Sequence, residues 1–162
     1  MAVFKAIIRL GLALSLKEAL RGVRLRHGGP FGSVIIKDGR IIGVGHNTVI
    51  RDDDPTAHAE INAIRQAAKK LGLERLRGAI LMASSEPCPL CLAAAYWSGI
   101  KEIHYCLPKE VAGRHGFRDA FIYAELKRAG EKRRIKMIKR PELDKKARTI
   151  FAEWKNAGGK PY

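Results

Sequence analysis

Long apolar runs are missing from this chain of 162 residues. No stretch is long enough to span a bilayer, so a membrane protein is not expected. The first helix-like stretch, Val3 to Arg26, is broken by Lys5, Arg9, Lys17 and Glu18. Its longest uncharged piece, Leu10 to Leu16, is short for a secretory-signal core. It reads as a packed amphipathic helix, and a cytoplasmic location is expected. Cysteine is scarce: Cys88, Cys91 and Cys106 are the full set of three. An odd number offers no disulfide framework, and a reducing compartment suits free thiols. Side-chain amides are scarce too, with one glutamine and three asparagines, a balance that suits a heat-stable surface. Internal repeats and low-complexity segments are absent.

Acidic residues are in deficit, 16 against 31 basic, for a net charge of +15. Such an excess raises the question of a nucleic-acid partner. Its distribution tempers that reading. Residues 1–26 hold six basic and one acidic side chain, a net +5, and residues 127–148 hold eleven and three, a net +8. The centre is nearly neutral, so the charge reads first as a solvated, salt-bridged surface. Nucleic acid is the less favoured partner. The length fits a single domain, residues 1–162, with a sizeable core.

Strands and helices alternate along the chain, which argues an α/β layered domain. Phe31 to Lys37 and Ile41 to Gly45 read as strands joined by Asp38-Gly39, a strong hairpin signal. Asp54 reads as an N-cap, with Pro55 opening a helix that runs to about Lys70 and stops at Gly72. Ala79 to Ser84 reads as a buried strand and Pro89 to Ser98 as a helix stopped by Gly99. Glu102 to Cys106 is a short strand, followed by a polar loop and a helix around Asp119 to Ala129. Arg134 to Lys139 reads as a fifth strand. Glu142 to Asn156 reads as a basic helix with Ile150, Phe151 and Trp154 on one side.

Two short strings carry the chemistry: His58-Ala59-Glu60 and Pro87-Cys88-Pro89-Leu90-Cys91. Cys88 and Cys91, three apart at a helix start, place both sulfurs on one face. The positive end of the helix dipole there favours the thiolates a metal requires. If the helix near His58 begins beside them, an imidazole completes a Cys₂His set, which leaves a fourth position open for water. Glu60 follows His58 by two residues, so the side chains diverge by roughly 200° in projection and need not share the ion. A carboxylate beside activated water can take its proton and pass it on. Alone, Cys-x-x-Cys is also a redox pair or half of a structural zinc site. A redox pair has no use for His58 or Glu60, and a structural site wants a fourth ligand. The combination, in this order, favours a catalytic zinc. Cys106 reads as a small buried hydrophobe at a strand end.

The sequence resembles the cytidine deaminase superfamily, and within it the guanine deaminase branch. The supporting strings are Gly28-Gly29-Pro30-Phe31-Gly32, Asp54-Pro55-Thr56-Ala57-His58-Ala59-Glu60 and Ser85-Glu86-Pro87-Cys88-Pro89-Leu90-Cys91. Ala95-Tyr96-Trp97, the segment Gly116 to Tyr123 around Asp119, and the ending Lys160-Pro161-Tyr162 extend the likeness. The resemblance implies a three-layer α/β/α sandwich around a five-stranded mixed sheet, and a homodimer whose C-terminal helix and tail, residues 142–162, are exchanged between subunits. It implies one catalytic Zn²⁺ per subunit on His58, Cys88 and Cys91, with Glu60 as the catalytic proton carrier. Asn47, Phe31, Trp97, Asp119 and Tyr162 would contact the substrate. The expected reaction is hydrolytic deamination of a free purine, guanine to xanthine. The alternatives are adenosine deamination in tRNA and a nucleoside deaminase acting on guanosine, adenosine or cytidine. Ser85 stands where many relatives have cysteine and Leu90 where methionine is common; neither is a ligand. The segment Ala124 to Leu143 is more basic than the branch leads one to expect.

Overall fold

The computed structural model describes residues 2–72 and 76–161. They fall into two compact units, one ending at Ala120 and one beginning at Phe121. The first unit holds helix α1 (Ala2–Arg24), strands β1 (Gly32–Lys37) and β2 (Arg40–His46), the short helix α2 (Val49–Asp52) and helix α3 (Ala59–Leu71). Strand β3 (Ile80–Ser85), helix α4 (Pro89–Trp97), strand β4 (Glu102–Leu107) and helix α5 (Lys109–Arg114) follow. Helix α6 (Ala120–Lys127) leads into the second unit, which contains α7 (Asp144–Asn156).

The sheet has the order β2-β1-β3-β4. Asp38 and Gly39 both adopt positive φ, 49° and 70°, the geometry of the tight hairpin turn expected from their sequence. That turn pairs β1 and β2 antiparallel, Val34 opposite Val44. β1 also runs antiparallel to β3, Val34 opposite Met82, and β3 runs parallel to β4 with α4 as the crossover. The period of two splits the apolar residues between the faces. Val34, Ile36, Ile80 and Met82 pack with Ile7, Ile8 and Leu12 of α1. Ile35, Ile42, Leu81 and Ala83 pack with Ala63, Ile64 and Ala67 of α3 and Ala94 of α4. Gly45 brings α3 close: a Cβ there would sit 2.6 Å from the Ala59 carbonyl oxygen. The outward backbone of β2 is covered from α3. Gln66 Oε1 accepts from Val44 N–H at 2.7 Å, and Asn62 Nδ2 donates to the His46 carbonyl at 3.0 Å.

Three expectations are corrected. Cys106, expected to be buried, is exposed on β4. Arg134–Lys139 forms no strand, and the sheet has four strands, not five. Local bonds hold that segment instead: Glu125 accepts Arg134 N–H at 2.7 Å, and Lys136 donates to the Glu131 carbonyl at 3.0 Å. Its apolar side chains Ile135, Met137 and Ile138 stay exposed, so no buried face rewards a strand. The helix expected from Pro55 begins at Ala59. Asp54 spends its carboxylate on the Thr56 N–H and hydroxyl, both at 2.7 Å, closing a turn rather than capping a helix. Tyr162 lies outside the described residues. Among the described residues, no helix is long and apolar enough to cross a membrane.

Candidate active site

Two helix starts meet here. His58 is the N-cap of α3, with Glu60 in its first turn. Cys88 is the N-cap of α4, Pro89 holds its first position, and Cys91 lies in its first turn. His58 Nδ1 is 3.4 Å from each cysteine sulfur, and the sulfurs are 3.7 Å apart. All three donor atoms lie within 4.8 Å of one another. A tetrahedral ion with Zn–S of about 2.3 Å and Zn–N of about 2.0 Å spaces its ligands at roughly 3.8 Å for S···S and 3.5 Å for S···N. The donor set therefore fits zinc in both chemistry and spacing.

The electrostatics suit a metal site. The Cys88 thiol is lowered to about 4 by its bond to Cys91 and by the His58 imidazole, which outweigh burial. Cys91 moves the other way: its bond to Cys88, burial and the Glu60 carboxylate all hold its proton on. His58 is raised, chiefly by Cys88. The imidazole also hydrogen-bonds the Pro55 backbone. Glu60 is only 7% exposed and accepts from the Cys91 thiol at 3.3 Å. Burial raises its carboxyl above the ordinary range, so it can hold as well as release a proton.

Two loops frame a second group. Asn47 follows β2, and its Oδ1 accepts from Gly29 N–H at 3.1 Å and Val49 N–H at 3.3 Å. Its backbone N–H donates to the Phe31 carbonyl at 3.0 Å. Gly28 is required here, because a Cβ would collide with Asn47 Oδ1. Phe31 meets Phe117 edge to face, centroids 4.8 Å apart. Asp119 is raised by desolvation, with Cys88, Lys109 and Glu86 among the charges acting on it. Trp97 is the last residue of α4, at the opposite end from the cysteines, and is 72% exposed.

Sequence reasoning missed Asn62 and Phe117. Asn62 Nδ2 reaches the His46 carbonyl, the Thr48 hydroxyl and the Ala57 carbonyl, tying the Asn47 loop to the entrance of α3. A poor helix former in the second turn of an otherwise favourable helix is the signal that could have found it. Phe117 carried no local signal, because its partner is 86 residues away.

Residues 8–107 match the sequence model of the cytidine and deoxycytidylate deaminase zinc-binding region. The chain belongs to that family. This deaminase is 50% identical over 117 residues to the guanine deaminase of Bacillus subtilis (strain 168), covering 72% of this chain and 75% of that protein. Its structure matches the crystal structure of guanine deaminase from Bacillus subtilis with a TM-score of 0.84 at 41% identity, covering 95% of this chain and 97% of that one. It is also 43% identical over 94 residues to the tRNA-specific adenosine deaminase of Agrobacterium fabrum, covering 58% of this chain and 61% of that protein. The deaminase is thus a hydrolytic aminohydrolase with an α/β, cytidine deaminase-like fold around a mixed sheet.

Proposed function

We propose that this deaminase converts free guanine to xanthine and ammonia. The reading is carried by the extent of the likeness to guanine deaminase. The structural match covers 95% of the chain, which includes part of the stretch beyond Ala120, and the sequence match covers 72% against 58% for the tRNA deaminase. His58, Cys88 and Cys91 hold the zinc. When bound, zinc supplies a Lewis acid with an open position that makes water nucleophilic near neutral pH. Glu60 takes a proton from the attacking water and returns it to the amine. Water adds at C2, the C2–N bond breaks, and ammonia leaves.

Substrate recognition falls to the two loops. Asn47 has Oδ1 occupied by two backbone donors, which leaves its amide N–H groups for the purine. Phe31 supplies ring surface, Asp119 binds the base, and Tyr162 closes over it from a partner subunit; Trp97, at the far end of α4 from Cys88 and Cys91, is not assigned to this same pocket. The chain acts as one domain and as a cytoplasmic homodimer, with residues 142–162 exchanged between subunits. Light scattering should give twice the chain mass; a monomer would remove the exchanged tail.

Ammonia release by zinc-loaded protein tests the substrate, with guanine, guanosine, adenosine, cytidine and an adenosine-containing tRNA anticodon stem in parallel. Turnover of guanine alone supports the reading. Activity on the RNA alone overturns it in favour of adenosine deamination in tRNA, the reading favoured by the net charge of +15. Activity on a nucleoside but not the base overturns it in favour of a nucleoside deaminase.

A further inference from the structure

Behind the Asn47 loop lies a row of three polar side chains that the proposed chemistry does not use. Glu18 of α1 is 9% exposed and His46, the last residue of β2, is 8% exposed. His46 Nδ1 lies 3.1 Å from Glu18 Oε2, and His46 Nε2 lies 2.9 Å from His27 Nδ1. The two imidazoles stack with centroids 5.2 Å apart and planes inclined by 27°. Arg21 reaches the same Glu18 oxygen at 3.4 Å. Arg51 and Asp52 face His27 from α2, and desolvation and Arg51 lower its pKa.

The chemistry gives the row a direction. An ionised carboxylate only accepts, so His46 Nδ1 carries the proton toward Glu18. In its neutral form His46 presents the Nε2 lone pair, and His27 Nδ1–H donates to it. The row starts on α1, passes through the end of β2 and finishes on the loop before β1. His46 immediately precedes Asn47. His27 immediately precedes Gly28 and Gly29, the two residues packed against the Asn47 side-chain oxygen. The hydrogen bond between the imidazoles therefore spans the same two loops that the Asn47–Gly29 bond spans. Gly22 of α1 backs it closely, since a Cβ there would lie 2.9 Å from His46 Cδ2.

We propose that Glu18, His46 and His27 are positioning residues that hold the Asn47 carboxamide in register for the substrate. Apolar side chains of similar size would pack as well, and burying Glu18 and His46 is costly unless each is satisfied. What apolar packing cannot supply is a fixed register between two loops, because it has no direction. Directed hydrogen bonds do supply one. The proposal rests on the reading of Asn47 as a purine contact.

The test compares wild type with His46→Leu and His46→Gln, all zinc-loaded. Leucine keeps the packing and removes both bonds. Glutamine can donate to Glu18 through its amide and accept from His27 through its carbonyl. Amide hydrogen exchange of Gly29 reads the loop register without any substrate. It should quicken by about tenfold in His46→Leu and recover in His46→Gln, while the Val34 and Met82 amides stay unchanged. KM for guanine should rise about tenfold in His46→Leu with kcat within roughly threefold, and recover in His46→Gln. Unchanged Gly29 exchange in His46→Leu overturns the proposal. So does altered exchange without a KM effect, which would make the row a loop brace and nothing more. If wild type releases no ammonia from guanine, the functional reading fails separately, and KM is then read on whichever substrate the wild type does deaminate. Should His46→Leu fail to fold, His27→Leu cuts the link between the loops at a half-buried position and is judged by the same two readouts.

Discussion

Glu60 touches the cysteine–histidine cluster without supplying one of its three donor atoms, so its two duties can be separated by substitution. Glu60→Gln keeps the shape and removes the proposed proton carrier. Zinc content should stay at one per chain while ammonia release falls by about 10²- to 10⁴-fold, measured by metal analysis and initial rates on the same sample. The cysteines make a second prediction at this scale. In metal-free protein the Cys88 pKa is depressed to about 4, so the thiolate is present at every pH above that value and is lost only as pH falls through it. Cys91 and Cys106 are both raised and remain thiols at pH 6. Iodoacetamide at pH 6 should therefore label Cys88 first, read by peptide mass spectrometry, and zinc should protect it. Equal labelling of all three would contradict the charge arrangement at the α4 start. The Cys88–Cys91 and His58–Glu60 motifs were legible in the sequence because the spacing within each is local and helix geometry fixes it. The Glu18–His46–His27 row, Asn62 and Phe117 were not, because each gains its meaning from a partner far along the chain.

Each element owes its limits to a local competition for hydrogen bonds. α3 begins at Ala59 because Asp54 is already engaged by Thr56, which leaves the His58 imidazole at the cap position rather than inside the helix. The sequence favoured Asp54 because Asp followed by Pro is a good opening for either structure. α5, of six residues, has too few positions to show a period and falls within the stretch read as a polar loop; α2, of four, is shorter still. Arg134–Lys139 has the apolar content of a strand, but its bonds run back to Glu125 and Glu131. The covered backbone of β2 can be tested directly. Gln66→Ala removes the acceptor for Val44 N–H at a site open to water, so the loss should be modest, about 1 kcal/mol by urea unfolding. A loss several times larger would mean that Gln66 supports more than the strand edge.

At the scale of the molecule, charge and chemistry are segregated. Residues 121–162 hold thirteen basic and five acidic side chains, a net +8, while the metal donors sit in the nearly neutral stretch between the basic ends. A neutral purine gains nothing from that field. Raising the salt from 50 to 200 mM should change guanine turnover by less than about twofold, whereas six to ten phosphate contacts would cost about 10³- to 10⁵-fold in affinity over the same range. Initial rates at two salt concentrations decide between them. The sheet has its own asymmetry. Along β2, Gln66 and Asn62 occupy outward backbone groups, while β4 at the other border leaves Tyr105 and Leu107 nearly half exposed. The β2 border therefore offers neither the Val44 N–H nor the His46 carbonyl to a further strand, because each is already held by a side chain of α3.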